Sequence, residues 1–176
     1  MEHQTSGNPD CVDCAFCAIA KGAAFARVVR EDHDTLAFLP LRPVTDGHVL
    51  VVPRRHIPNL WHLDDPTAMA LTRTVLRVAH AVRTAFRPAG LNVVNSAGAA
   101  ATQSVMHIHV HVVPRYEGDP MGNFWPPPAP LDPARLDAAA ERLRTVVRAG
   151  SGWRPSAEQH AYEEGDMGDA ETAVEQ

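Results

Sequence analysis

His107, His109 and His111 stand at alternate positions of one short segment, His107-Ile108-His109-Val110-His111-Val112-Val113. On a strand, alternate side chains share a face, so the three imidazoles would line one side and Ile108, Val110 and Val112 the other. The apolar side suits packing on a helix. The imidazole side is an odd surface to build unless something uses it. Two chemistries fit. A row of imidazoles can ligate a metal, as in zinc hydrolases with three histidine ligands. Alternatively, one imidazole is a nucleophile and its neighbours supply a proton and electrostatic support, because imidazole titrates near neutrality. Attack on phosphorus is the natural use of the second arrangement, since phosphoryl and nucleotidyl transfer depend mainly on alignment and charge neutralisation. The surroundings favour it. Gln103 and Ser104 supply neutral hydrogen-bonding groups just ahead of the segment, and the small-residue loop 96–102 offers backbone N–H groups to anionic oxygens. Acidic partners that would orient metal-bound histidines are absent nearby in sequence.

A second group is cysteine. Cys11, Cys14 and Cys17 fall within seven residues, and the chain has no others. Bridging two of them would close a trivial loop, so the spacing reads as metal binding in a reduced cytosol. Cys14 and Cys17 can share one tetrahedral ion, and Cys11 with Cys14 has the same spacing.

The elements that must position these groups follow from pattern. Cys14 to Ala20 suits a short helical turn ended by Gly22. Val28–Arg30 and Thr35–Leu39 read as strands joined by a polar hairpin loop. His48 to Pro53 is a β-branched run fit for a strand buried on both faces. Asp64 is a good cap, and Met69, Leu71, Val75, Val78, Val82 and Phe86 recur at roughly helical spacing up to Arg87-Pro88. Leu91–Asn95 reads as a strand, His107–Val113 as another closed by Pro114, and Asp132-Pro133 as the start of a last helix ending before Gly150. Short strands in hairpins with one long helix favour an α+β domain on an antiparallel sheet over a doubly wound fold.

Length and composition fit one domain: 176 residues, 45% apolar and 21% charged. We expect a loose lead-in over 1–10, the domain over 11–149, and a tail over 150–176 too acidic to fold alone. The net charge of −5 is concentrated in that tail, where one arginine faces seven acidic residues. A near-neutral body argues against nucleic acid as a partner. No apolar run approaches the roughly 18–20 residues of a membrane span, and the first residues lack the pattern of a signal peptide, so a cytoplasmic protein is expected.

The segment 107–113 resembles the histidine-triad (HIT) signature, His-φ-His-φ-His-φ-φ with φ apolar. Cys14-Ala15-Phe16-Cys17-Ala18-Ile19 is similar to the opening of bacterial, zinc-containing HIT proteins. Leu36-Ala37-Phe38-Leu39, Pro43 and Gly47 through His56 look like their central block, and Asn95, Gln103-Ser104-Val105 and Pro114-Arg115-Tyr116 follow in the family's order. The resemblance implies a five-stranded antiparallel sheet with a long helix and a C-terminal helix, paired as a homodimer. It implies a nucleotide hydrolase or nucleotidyl transferase, of phosphoramidase type, acting at the α-phosphorus of a purine nucleotide conjugate. Dinucleoside polyphosphate hydrolase or phosphorylase, and a non-enzymatic nucleotide-binding protein, are the alternatives.

Carried over, His109 is the nucleophile that becomes nucleotidylated, and water then resolves the adduct. His111 and Ser104 contact phosphate oxygens and help the leaving group. His107 holds the nucleophile's surroundings, His48 sits beside the triad, and Asn95 and Gln103 line the phosphate site. No catalytic metal is implied. A structural zinc is, on Cys14, Cys17, His56 and His107. One departure stands out. Pro40 occupies the position where the family commonly has an Asp or Asn that bonds the ribose hydroxyls, and each such lost bond costs about 1.5–3 kcal/mol.

Overall fold

Asp32 starts the sheet by closing its first hairpin. Its Oδ1 accepts the backbone N–H of Asp34 (3.1 Å) and of Thr35 (2.9 Å), and the Thr35 hydroxyl as well. This reverses the chain between β1 (Arg27–Glu31) and β2 (Thr35–Leu39). The computed structural model describes residues 14–123 and 132–149.

The strands β1, β2, β3 (Val49–Pro53), β4 (Gly90–Asn95) and β5 (Val110–Arg115) form one antiparallel sheet in the order β1-β2-β3-β5-β4. Every residue of β3 is buried, as its uncharged, β-branched run requires. The two edges differ in kind. β1 carries Arg27, Arg30 and Glu31 and a register shift between Val28 and Arg30, devices that discourage further pairing. β4 is uncharged and regular, and its Leu91 and Val93 are exposed.

The helix α2 (Asp65–Phe86) covers one sheet face. The Asp64 side chain accepts the Thr67 N–H at 3.0 Å, Pro66 fills the first turn, and Arg87 ends the helix in the left-handed region with Pro88 behind it. Leu71, Val75, Val78 and Val82 recur on one side and pack with Ala37, Val49, Val51, Ile108 and Val112. Each such burial stabilises by roughly 1.5–3 kcal/mol. On the opposite face, Leu36, Phe38, Leu50 and Val52 pack with Phe16 of a six-residue helix, α1 (Ala15–Ala20).

Two local expectations need correction. The histidine segment is not a continuous strand, because β5 begins at Val110 and His107 lies in a bend. The Ile108 N–H is drawn away from the ladder to the Ile57 carbonyl, 2.6 Å away. Alternation nevertheless survives: Ile108, Val110 and Val112 pack in the α2 core, while His107 and His109 contact α1. Pro114 does not stop β5 either. It lies opposite Leu91 and beyond the last β3 pair, Val49 with Val112, and its carbonyl accepts the Thr45 hydroxyl at 2.7 Å. A proline is tolerated where the ladder on one side has already ended.

The chain divides into two compact units after Gly122. In the second, α3 (Pro133–Arg148) is capped by Asp132, whose side chain accepts the Ala134 N–H, as the Asp-Pro start predicts. Leu136, Leu143, Val146 and Val147 of α3 are exposed. The expected lead-in 1–10, the tail 150–176 and Cys11 lie outside the described residues. Among the described residues, no helix is long and apolar enough to cross a membrane.

Candidate active site and metal centre

The proton on each histidine is fixed by its partner, because a carbonyl only accepts and an amide N–H only donates. His109 Nδ1 lies 2.8 Å from the His107 carbonyl oxygen. Nδ1 therefore carries the proton and Nε2 keeps its lone pair. His109 is 5% exposed.

His111 has the opposite tautomer. The Val44 N–H donates to His48 Nδ1 at 3.2 Å, which puts the His48 proton on Nε2. That nitrogen lies 3.0 Å from His111 Nδ1 and donates to it. His111 is left with its proton on Nε2, the opposite of His109. The two rings are 5.0 Å apart, centre to centre. Burial, with His109 and His48 close by, pushes His111 down to about 4. Burial also lowers His48. Both are neutral at neutral pH, as the chain of donors requires.

His107 faces the other way. Its Nε2 donates to the Pro53 carbonyl at 2.9 Å, so Nδ1 is bare. That atom lies 3.4 Å from Cys14 Sγ and 3.5 Å from Cys17 Sγ, and His56 Nδ1 lies 3.4 Å from Cys17 Sγ. All four donor atoms fall within 4.8 Å of one another. A tetrahedral zinc with Zn–S of about 2.3 Å and Zn–N of about 2.0–2.1 Å needs a sulfur–nitrogen edge of about 3.6 Å. The residues fit the ion. Burial holds His107 down at about 4, with the Pro53 bond opposing and His56 and His109 adding to the shift, so its nitrogen is unprotonated and ready to ligate. Four protein donors make a closed, structural centre with no position for a reacting water.

The remaining expected site residues behave differently from one another. Asn95 Nδ2 donates to the His109 carbonyl at 2.8 Å, which ties the His109 backbone to β4. Gln103 is 7% exposed and holds its loop together: Oε1 accepts the Gly98 N–H, and Nε2 donates to the Pro58 and Val105 carbonyls. The loop amides are less available than the small-residue run suggests. Those of Gly98, Ala101, Thr102 and Gln103 all end on partners within the loop. Ser104 is exposed, and Pro40 follows β2 half-buried. Sequence reasoning missed the Val44 amide and the Pro53 carbonyl, since backbone partners have no side-chain signature. It also missed the ring of Phe16, 5.3 Å from that of His109.

Residues 21–118 match the family model described as HIT domain. The chain belongs to the HIT family. It is 43% identical over 114 residues to "Protein hit" of Bacillus subtilis, an alignment covering 64% of this chain and 79% of that one. Its fold is similar to a zinc-bound histidine triad family protein from Mycobacterium smegmatis, with TM-score 0.60, 38% identity, and coverage of 76% of this chain and 97% of that one. It is also similar to a histidine triad nucleotide-binding protein from Candida albicans, with TM-score 0.69, 28% identity, and coverage of 77% and 98%. The HIT fold, with its five-stranded antiparallel sheet, stands as expected, and so does the structural zinc centre on Cys14, Cys17, His56 and His107.

Proposed function

We propose that this HIT protein is a nucleotide hydrolase or nucleotidyl transferase of phosphoramidase type, working through a covalent adduct on His109. The observation that carries the reading is the pair of opposed tautomers on two rings 5.0 Å apart: His109 with Nε2 bare and His111 with Nε2 protonated. The lone pair of His109 Nε2 attacks the α-phosphorus of a nucleoside phosphoramidate or related conjugate. The bond from phosphorus to the leaving group breaks; the His111 Nε2–H hydrogen-bonds the departing atom, which takes its proton from solvent. The adduct carries a positive imidazolium whose Nδ1–H points at the His107 carbonyl, a fixed dipole placed where that charge develops. Water then attacks phosphorus and releases one proton to solvent, the bond to His109 breaks with its electron pair returning to Nε2, and the nucleotide leaves.

In this reading Ser104 meets phosphate oxygens, Asn95 and Gln103 shape the loop around them, and His107 and His48 set the tautomers. The zinc supplies cross-linking of Cys14 and Cys17 to His56 and His107, and no step of the reaction passes through it. The nucleotide is a purine one, held with little help from residue 40. A cytosolic setting suits free thiols at a metal centre. A homodimer through β4 is supported by the uncharged, regular edge and the exposed Leu91 and Val93.

Rapid quenching with a nucleoside 5′-phosphoramidate followed by mass spectrometry tests the reading. The nucleotide mass is expected on His109, acid-labile, and absent from a folded but inactive His109→Ala. Full turnover by His109→Ala would remove the nucleophile assignment. Product analysis with dinucleoside polyphosphates, with and without inorganic phosphate, separates a hydrolase from a phosphorylase. The non-enzymatic reading is favoured by Pro40, which offers no side-chain acceptor; nucleotide binding without turnover across several phosphoramidates would establish it.

A further inference from the structure

One hydrogen bond through Nδ1 fixes one corner of the His109 ring and leaves the rest able to swing. The direction of Nε2 then depends on what packs against the ring. Phe16 does so. Its ring lies 5.3 Å from that of His109 at an interplanar angle of 75°, and 5.8 Å from that of His107 at 74°. A third ring neighbour is Phe38, at 5.5 Å and 65°, and Leu36, Leu50 and Val52 belong to the same core cluster. Phe16 is 9% exposed, so little of its surface is left for a ligand to lie on.

Phe16 is held by its apolar cluster on the sheet and, through its flanking cysteines, by the metal centre. α1 has six residues, too few to be stable alone. Its side-chain anchors are the Cys14 and Cys17 thiols, the Phe16 ring, and a bond from Arg54 Nη1 to the Ala20 carbonyl at 2.9 Å. Phe16 sits between the two cysteines, and the histidine that faces both thiols also gives its carbonyl to His109. Ring packing and backbone thus bring the same cluster to bear on the same imidazole from two sides.

We propose that Phe16 is a positioning residue for His109, held in register by the Cys14/Cys17/His56/His107 cluster. The inference rests on His109 being the nucleophile. It assigns Phe16 to the orientation of that ring and not to substrate contact, so the two roles separate in the kinetics.

The test uses full-length protein with one zinc per chain, verified by elemental analysis for each variant. Single-turnover quenching with a nucleoside 5′-phosphoramidate is run on wild type, Phe16→Leu and Phe16→Tyr. Loss of the ring in Phe16→Leu is expected to slow adduct formation by about tenfold to a hundredfold. KM should stay within about twofold. Phe16→Tyr, which keeps the ring, should recover most of the rate. In nitrogen-15 spectra, the His109 Nδ1–H signal should be sharp in wild type and exchange-broadened in Phe16→Leu. An unchanged rate, or a raised KM with kcat intact, would overturn the inference. If wild type forms no adduct on His109, the nucleophile reading fails instead, and the ring spectra still decide whether Phe16 holds the imidazole.

Discussion

His48 Nε2 lies 3.0 Å from His111 Nδ1, with the two rings stacked 5.2 Å apart. The Val44 amide fixes the His48 proton, and His48 in turn fixes that of His111. The His111 tautomer is therefore set by a backbone N–H two hydrogen bonds away.

Breaking that relay should cost rate. His48→Leu leaves the His111 tautomer unspecified and is expected to lower kcat by roughly 10- to 100-fold, the usual scale for losing an orienting partner of a functional histidine. His48→Gln, which can still donate, should recover part of it. Steady-state kinetics on the two variants check this, and equal losses in both would contradict it.

The four-donor cluster predicts near-stoichiometric zinc in protein purified without chelators, read by elemental analysis. Cys17→Ala should lose the ion. Structural zinc contributes folding free energy directly, and a loss of about 3–5 kcal/mol would lower Tm by roughly 10 °C in a chain of this size. Calorimetry of the zinc-loaded and stripped forms measures the difference.

Acid should destabilise the fold through its buried histidines. His111 is lowered from 6.5 to about 4 and burial lowers His48 too, so over that range the unfolded chain binds more protons than the native one. The His111 contribution is complete above about 6.5 and is lost as pH falls toward about 4, at about 1.4 kcal/mol per unit of pKa difference. Tm measured from pH 7 to 4.5 should fall, and His111→Asn should flatten the fall. A Tm independent of pH over that range would contradict the buried neutral rings.

Gly47 precedes His48 at φ +83°, and a Cβ there would stand 2.8 Å from the Phe86 ring. The ring can move, but the left-handed backbone remains costly to any other residue. Gly47→Ala is expected to destabilise by about 1–3 kcal/mol, read from the urea midpoint.

Much of this was legible in the chain. Thr35–Leu39 appears with the bounds expected of a strand following the polar hairpin loop, and the long helix starts after Asp64 and stops at Arg87-Pro88 as its caps require. Local rules failed where tertiary partners outbid them. The Ile57 carbonyl pulls Ile108 out of the ladder, and Pro114 continues a strand because its neighbour on one side has ended. Cys14 and Cys17 announce a metal by spacing, yet His56 joins them only through a family likeness, since nothing local marks it. Gln103 reads as a ligand for phosphate and is occupied as a clamp, because side-chain chemistry alone does not say which acceptor lies nearest.

The unguarded flank Gly90–Asn95 has a consequence for handling. A copy folded without a neighbour offers a bare, neutral row of peptide groups to any extended chain it meets, and half-folded copies would meet first during heavy overproduction. Precipitate should then grow from this flank, and Val93→Lys should keep such copies in solution.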